Sequence, residues 1–180
     1  MIDLIALVIL GFCAWILIKK IKRSFNAEKI GKDVVQEYIN EKGITITKRL
    51  DLSISDGKRI FFIDDKNKRI HDLRISPDDA NPVRDFTYEY SDIVKCEVIK
   101  DEFTADNYND LVRHDDCEEE EEVHKFGFRI TVDNISSPYI EILTTKSRSK
   151  LYRGEISKVT DWVNVINIAI KQGEKLAENR

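Results

Sequence analysis

Polar and apolar positions divide the chain into stretches of different period. The first is an unbroken apolar run of fifteen residues, Leu4 to Ile18 (LIALVILGFCAWILI), closed abruptly by Lys19-Lys20-Ile21-Lys22-Arg23. As a helix it spans about 22 Å at 1.5 Å per residue, against a hydrocarbon core of roughly 30 Å. Ile2 and Ile21 extend it. Lys19 and Lys20 can keep their stems in lipid and their ammonium groups at the interface, so residues 2–21 reach bilayer length. Trp15 falls near the basic end, where an interfacial aromatic belongs. A cleaved signal peptide would carry its basic residues ahead of the run, where Asp3 stands instead. A lipoprotein signal would need a small residue before Cys13, and Phe12 is there. A buried core helix would leave KKIKR without a reason. The pattern therefore predicts a transmembrane anchor over 1–23. Lys and Arg stay on the cytoplasmic side, so the N-terminus is expected outside and the body in the cytoplasm.

After Ser24-Phe25-Asn26 the period becomes helical. Ile30, Val34, Val35, Tyr38 and Ile39 share one face of a helix over Ala27 to Lys42, and Gly43 is placed to cap it in the left-handed conformation. From Ile44 the period is two. Ile44-Ile46 and Leu50-Leu52-Ile54 alternate with polar residues, and Asp56-Gly57 turns the chain into RIFFID (59–64). Further strands are predicted at 69–75, 84–90 (where Phe86, Tyr88 and Tyr90 alternate), 93–100, 126–132 and 139–145, with Tyr88 and Tyr90 on one packed face. Residues 101–123 read as one long polar insertion. Glu155 to about Ala177 is an amphipathic helix, with Ile156, Val159, Val163, Ile166 and Ile170 on one face beside Trp162 and Ala169.

Charge sharpens this division. The chain has 180 residues and a net charge of −4. Residues 1–23 hold four basic groups and one acid, which leaves 25 basic and 32 acidic groups and a net of −7 on the rest. An acidic body does not neutralise phosphates, so nucleic acid is not an expected partner. Three cysteines (Cys13, Cys96, Cys117), with no C-x-x-C, fit free thiols in a reducing compartment.

Seven antiparallel strands in hairpin order, then a C-terminal helix bearing a Trp, resemble the pleckstrin-homology (PH) layout. The runs RIFFIDDKNKRI, YEYSDIVKCEVI and FRITVDN-ISSPYIEIL before the Trp162 helix resemble bacterial PH-like domains, which are often attached to membrane segments. The resemblance covers about residues 44–177. It implies an α+β chain with an N-terminal transmembrane helix (1–23), a juxtamembrane helix (24–43) and a PH-like bent sheet or barrel (44–180) capped by the last helix. It also implies binding of protein, peptide or lipid rather than catalysis, and it carries no invariant site residues. Small membrane proteins of this build include immunity and superinfection-exclusion factors, which sets an expected biological role.

Two charged stretches are candidate contact surfaces. Asp115, Asp116, Glu118, Glu119, Glu120, Glu121 and Glu122, flanked by His114 and His124 with Cys117 inside, form an acidic block in the 101–124 insertion. Such a block is a solvated loop or an electrostatic contact for a membrane-associated protein. Its spacing matches no EF-hand or zinc motif, so no metal is expected. In the other reading the domain contacts anionic lipid through Lys58, Arg59, Lys66, Lys68 and Arg69, with Lys146, Arg148, Lys150 and Arg153. Asp56, Asp64 and Asp65 interrupt the first of these groups. G-x-S-x-G, P-loop, G-x-G-x-x-G and H-E-x-x-H motifs are all missing, so neither an enzyme nor a cofactor is expected. An enzyme using a metal at the acidic block is the weakest of the three readings.

Overall fold

The computed structural model describes residue 15 and residues 35–54, 57–76, 83–110, 122–145 and 148–178. Among these residues no helix is long and apolar enough to cross a membrane. The expected anchor, apart from Trp15, lies outside them, as does the first half of the helix expected over 27–42. Trp15 is helical and 56% exposed.

The chain is α+β, with antiparallel sheets and a C-terminal helix. One four-stranded sheet has the order β1 (Lys48–Ile54), β2 (Gly57–Asp64), β3 (Arg69–Ile75), β4 (Val83–Glu89). A second has the order β6 (Phe103–Ala105), β5 (Ile93–Lys100), β8 (Phe126–Val132), β9 (Tyr139–Thr145). The short strands β7 (Glu122–Val123) and β10 (Ser149–Lys150) pair with each other. The C-terminal helix is Arg153–Glu178. The described chain forms two compact units, one within Met1–Phe62 and His71–Phe86, the other of Ile63–Ile70 and Thr87–Arg180.

In the first unit, residues 35–42 are helical and Gly43 ends the helix at φ +62°. The Gly43 N–H donates to the Asn40 carbonyl (3.3 Å) and the Ile44 N–H to the Ile39 carbonyl (3.0 Å). These two bonds make a Schellman cap, and glycine reaches its left-handed φ without a Cβ penalty. Val35 and Ile39 join Ile60, Phe62, Leu73 and Ile75 in one buried cluster, with Tyr38, Ile44, Ile46 and Val83 at its margin. Ile60 and Phe62 alternate on β2, as Leu73 and Ile75 do on β3, so the helix covers one sheet face. RIFFID is buried along its whole length. That is why it reads as a continuous apolar run and not as an alternation.

In the second unit the register lines up Cys96, Ile130 and Ile140 across β5, β8 and β9, and likewise Val98, Phe128 and Ile142. All six are buried. The residues between them, Glu97, Arg129 and Glu141, form a charged row on the other face, with Arg129 Nη2 2.6 Å from Glu141. The helix buries Val159, Trp162, Val163, Ile166, Ala169 and Ile170. The Trp162 ring stacks on Phe128 at 6.1 Å between centroids.

Two expectations are corrected. Tyr88 and Tyr90, which alternate with Phe86, do not share one packed strand face: Tyr88 is half-buried on β4. Phe86 is 41% exposed with the Arg74 guanidinium over its ring, while Tyr90 leaves the strand for a 3-10 turn (Tyr90–Asp92) and is buried. The Tyr90 N–H donates to the Lys68 carbonyl (3.0 Å). The 101–123 stretch is also not one loop. Asp101 adopts φ +54° and its Oδ1 accepts from the His124 and Lys125 N–H groups. The chain then returns as β6 along the Val98–Lys100 end of β5.

Candidate functional site

Most of the predicted acidic surface, Asp115, Asp116 and Glu118 to Glu121, lies outside the described residues. Glu122 is described, and it meets the basic connection. β7 and β10 pair Val123 with Ser149 and Glu122 with Lys150, and the Glu122 carboxylate accepts from Arg148 Nε. The sequence treats the two stretches as separate surfaces. The structure brings the end of one against the other. Arg153 is exposed at the start of the helix, and Lys146 lies outside the described residues.

Four of the nine basic residues proposed for lipid, Arg59, Lys68, Arg69 and Arg148, are paired with carboxylates within the protein. Arg59 is 8% exposed and forms a two-pronged pair with Asp72, Nε to Oδ1 at 2.7 Å and Nη2 to Oδ2 at 2.8 Å. A lipid headgroup cannot reach it there without breaking that pair, and the physical reason is its place on β2, where every residue from Arg59 to Asp64 is buried. Lys68 donates to Asp65 (2.9 Å) and to Gln172 of the C-terminal helix (2.8 Å), and lies over the Tyr90 ring. Its φ of +56° closes the turn, and the buried Asp64 carboxylate fixes that turn by accepting from Asn67 N–H and Nδ2. Arg69 reaches Glu89 at 3.3 Å. Lys66 is exposed and Lys58 half-buried.

Among the described residues, one gathering of titratable groups is one that the sequence did not single out. The Tyr38 hydroxyl on the helix donates to Asp85 Oδ2 on β4. His71 on β3 places Nδ1 3.2 Å from the same oxygen and stacks on Phe62 with ring centroids 4.8 Å apart. An ionised carboxylate only accepts, so His71 donates to it only in the tautomer that holds the proton on Nδ1. His71 is 5% exposed. Burial, then the hydrogen bond and charge of Asp85, then the charge of Glu41, push the Tyr38 hydroxyl well above its usual range, so it stays a donor. Period-3.6 spacing put Tyr38 on the buried helix face. Nothing in the sequence paired it with a residue 47 positions away.

These contacts join elements. Tyr90 is held like Tyr38. Burial and the neighbouring Asp65 raise its hydroxyl above the usual range, and that hydroxyl lies 3.3 Å from Asp65 Oδ1. Burial likewise pushes the Cys96 thiol up. Among the described residues no group of three or more His, Cys, Asp or Glu could hold a metal ion. No protein-family model, no curated protein and no solved structure matches this chain.

Proposed function

We propose that this protein is a single-span membrane protein displaying a cytoplasmic PH-like binding module, whose partner is a membrane-associated protein. The observation that carries the reading is the apolar run Leu4 to Ile18, extended over residues 2–21 to bilayer length and closed by KKIKR, a topology signal. Two four-stranded sheets followed by one helix carrying Trp162 support a PH-like body. Tethering raises the local concentration of that body at the membrane, so a weak contact there becomes productive.

The protein partner is favoured over lipid by the charge pairing. Arg59, Lys68, Arg69 and Arg148 each have a carboxylate within ion-pair distance. A basic group already paired gains little from an anionic headgroup, since the carboxylate must first be displaced. The acidic block remains the proposed contact surface.

The test is alkaline carbonate extraction of membranes, followed by in-membrane cross-linking of the tagged full chain beside a variant with Glu118 to Glu122 changed to Gln. Retention in the membrane pellet, with one dominant protein captured and lost in the variant, is expected. Release by carbonate would overturn the anchor. Retention with no captured protein, together with salt-sensitive binding to anionic vesicles, would replace the protein partner by lipid.

A further inference from the structure

We propose that β9 pairs with β9 of a second copy of this chain. The two strands run antiparallel about a two-fold axis at Ile142, and the second sheets of the two copies become one. The dimer goes beyond the membrane-module reading and does not depend on it.

β9 is an outer strand of the second sheet, and among the described residues no strand lies beyond it. An outer strand is a template for another chain unless charge, proline or brevity blunts it. The other outer strands are blunted. β1 carries Lys48, Arg49 and Asp51, β4 carries Arg84, Asp85 and Glu89, and β6 has three residues. β9 reads YIEILTT over seven residues, with Pro138 standing before it. Its single charge, Glu141, lies 2.6 Å from Arg129 of β8. Tyr139, at its start, is 54% exposed, and tyrosine is enriched where proteins meet.

The ladder with β8 fixes the direction of the peptide groups. The Val132 N–H donates to the Pro138 carbonyl (2.9 Å), and bonded pairs of an antiparallel ladder recur at every second residue. Ile130↔Ile140 and Phe128↔Ile142 are therefore bonded pairs, and the peptide groups of Tyr139, Glu141 and Leu143 turn to the outer edge.

Charge and length choose the register. An axis at Glu141 would set two carboxylates opposite each other, which destabilises a strand pair. An axis at Ile142, the middle of the strand, pairs all seven residues. Tyr139 then meets Thr145 of the partner subunit, Glu141 meets Leu143, and no like charges are opposed. The outward peptide groups of Glu141 face those of Leu143, as a bonded pair requires. One strand pair buries less than a standard interface, so the dimer is expected to depend on concentration.

Sedimentation of the full chain in detergent over a concentration series tests this. Wild type is expected to pass from monomer to dimer. Leu143→Glu sets a carboxylate against Glu141 twice, once on each side of the axis, and is expected to weaken the dimer about tenfold. Leu143→Lys sets an ammonium there instead and is expected to hold or tighten it. Monomer at every concentration overturns the proposal. So does a dimer that neither substitution changes, or that both weaken alike. If the Leu143 variants fail to fold, cross-linking in membranes decides, in a chain with Cys13→Ser and Cys117→Ser. Cys96 is buried and stays out of reach. Glu141→Cys, whose two copies would stand diagonally about 7–8 Å apart, is expected to join into a dimer through a short bismaleimide, and Asp51→Cys on β1 is not. Equal joining at both positions, or a product with a different protein, overturns the proposal.

Discussion

Arg59 and Asp72 face each other on β2 and β3 as a buried, two-pronged ion pair, with side chains 9% and 1% exposed. Arg74 adds a second guanidinium 3.4 Å from Asp72. Both charges have left water, so each is tolerated only because the other is present. Changing Asp72 to Asn should cost about 3–5 kcal/mol, because an uncompensated guanidinium stays buried. Replacing both, Arg59→Met with Asp72→Leu, should recover most of that loss. Urea unfolding of the three chains decides. Equal destabilisation of single and double variants would show that the pair stabilises through more than its mutual charge.

The Trp162–Phe128 stack joins the C-terminal helix to β8, an inner strand of the second sheet. Trp162 is 2% exposed, so Trp162→Ala removes both buried area and the ring contact, at a cost of about 3–5 kcal/mol. Phe128→Leu keeps most of the volume and should cost much less. Trp15, the chain's other tryptophan, falls in the proposed anchor, so the emission of Trp162 is read in a Trp15→Phe background, where it should be blue-shifted and should move to the red on unfolding. A red emission from the folded Trp15→Phe chain would mean that Trp162 is not buried.

The sequence makes the strands legible and most of the candidate site illegible, for one physical reason. Alternation reports which face of a strand meets the core, so β3 and β5 begin and end where the period places them. The face of Val159, Trp162, Val163, Ile166 and Ile170 is visible in the same way. Period carries no information about which charge meets which. Arg59 reads as a turn residue available to a ligand, yet its partner is thirteen positions on across a hairpin. The Glu122–Arg148 pair needs the β7–β10 ladder, and two-residue strands leave no period to detect. β6 is hidden in a polar insertion because pairing with β5, not its own composition, makes it a strand.

Glycines separate close packing from backbone conformation. A Cβ on Gly127 would lie 2.1 Å from the Ile142 carbonyl oxygen, and one on Gly173 2.3 Å from that of Tyr90. Both obstacles are backbone and cannot step aside, so alanine at either position should destabilise by about 1–3 kcal/mol or more. Gly43 meets nothing within 4 Å, and alanine there pays only for its φ of +62°, about 1 kcal/mol. Gly154, also open, lies inside the helix, and alanine there should be neutral or slightly stabilising. The ranking by thermal unfolding is the check. Gly173→Ala as mild as Gly154→Ala would mean the helix does not approach Tyr90 this closely.

Stability should fall in alkali, and the groups responsible can be named. Cys96, Tyr38 and Tyr90 are all pushed above their ordinary values of 9.0, 10.0 and 10.0, chiefly by burial. Below those ordinary values both the folded and unfolded chains hold the protons, and these groups add no pH dependence. Above them the unfolded chain releases protons that the folded chain retains. The unfolded state then binds fewer, so stability declines as pH rises. The Cys96 share begins near pH 9 and has a limiting slope of about 1.4 kcal/mol per pH unit, and the tyrosines join near pH 10. Urea midpoints between pH 7 and 11 should be flat at first and then drop. Cys96→Ala should start lower, having lost packing, but decline less steeply from pH 9, and Tyr38→Phe should flatten the curve beyond pH 10. Curves that run parallel to wild type would mean that these protons are not held by the fold.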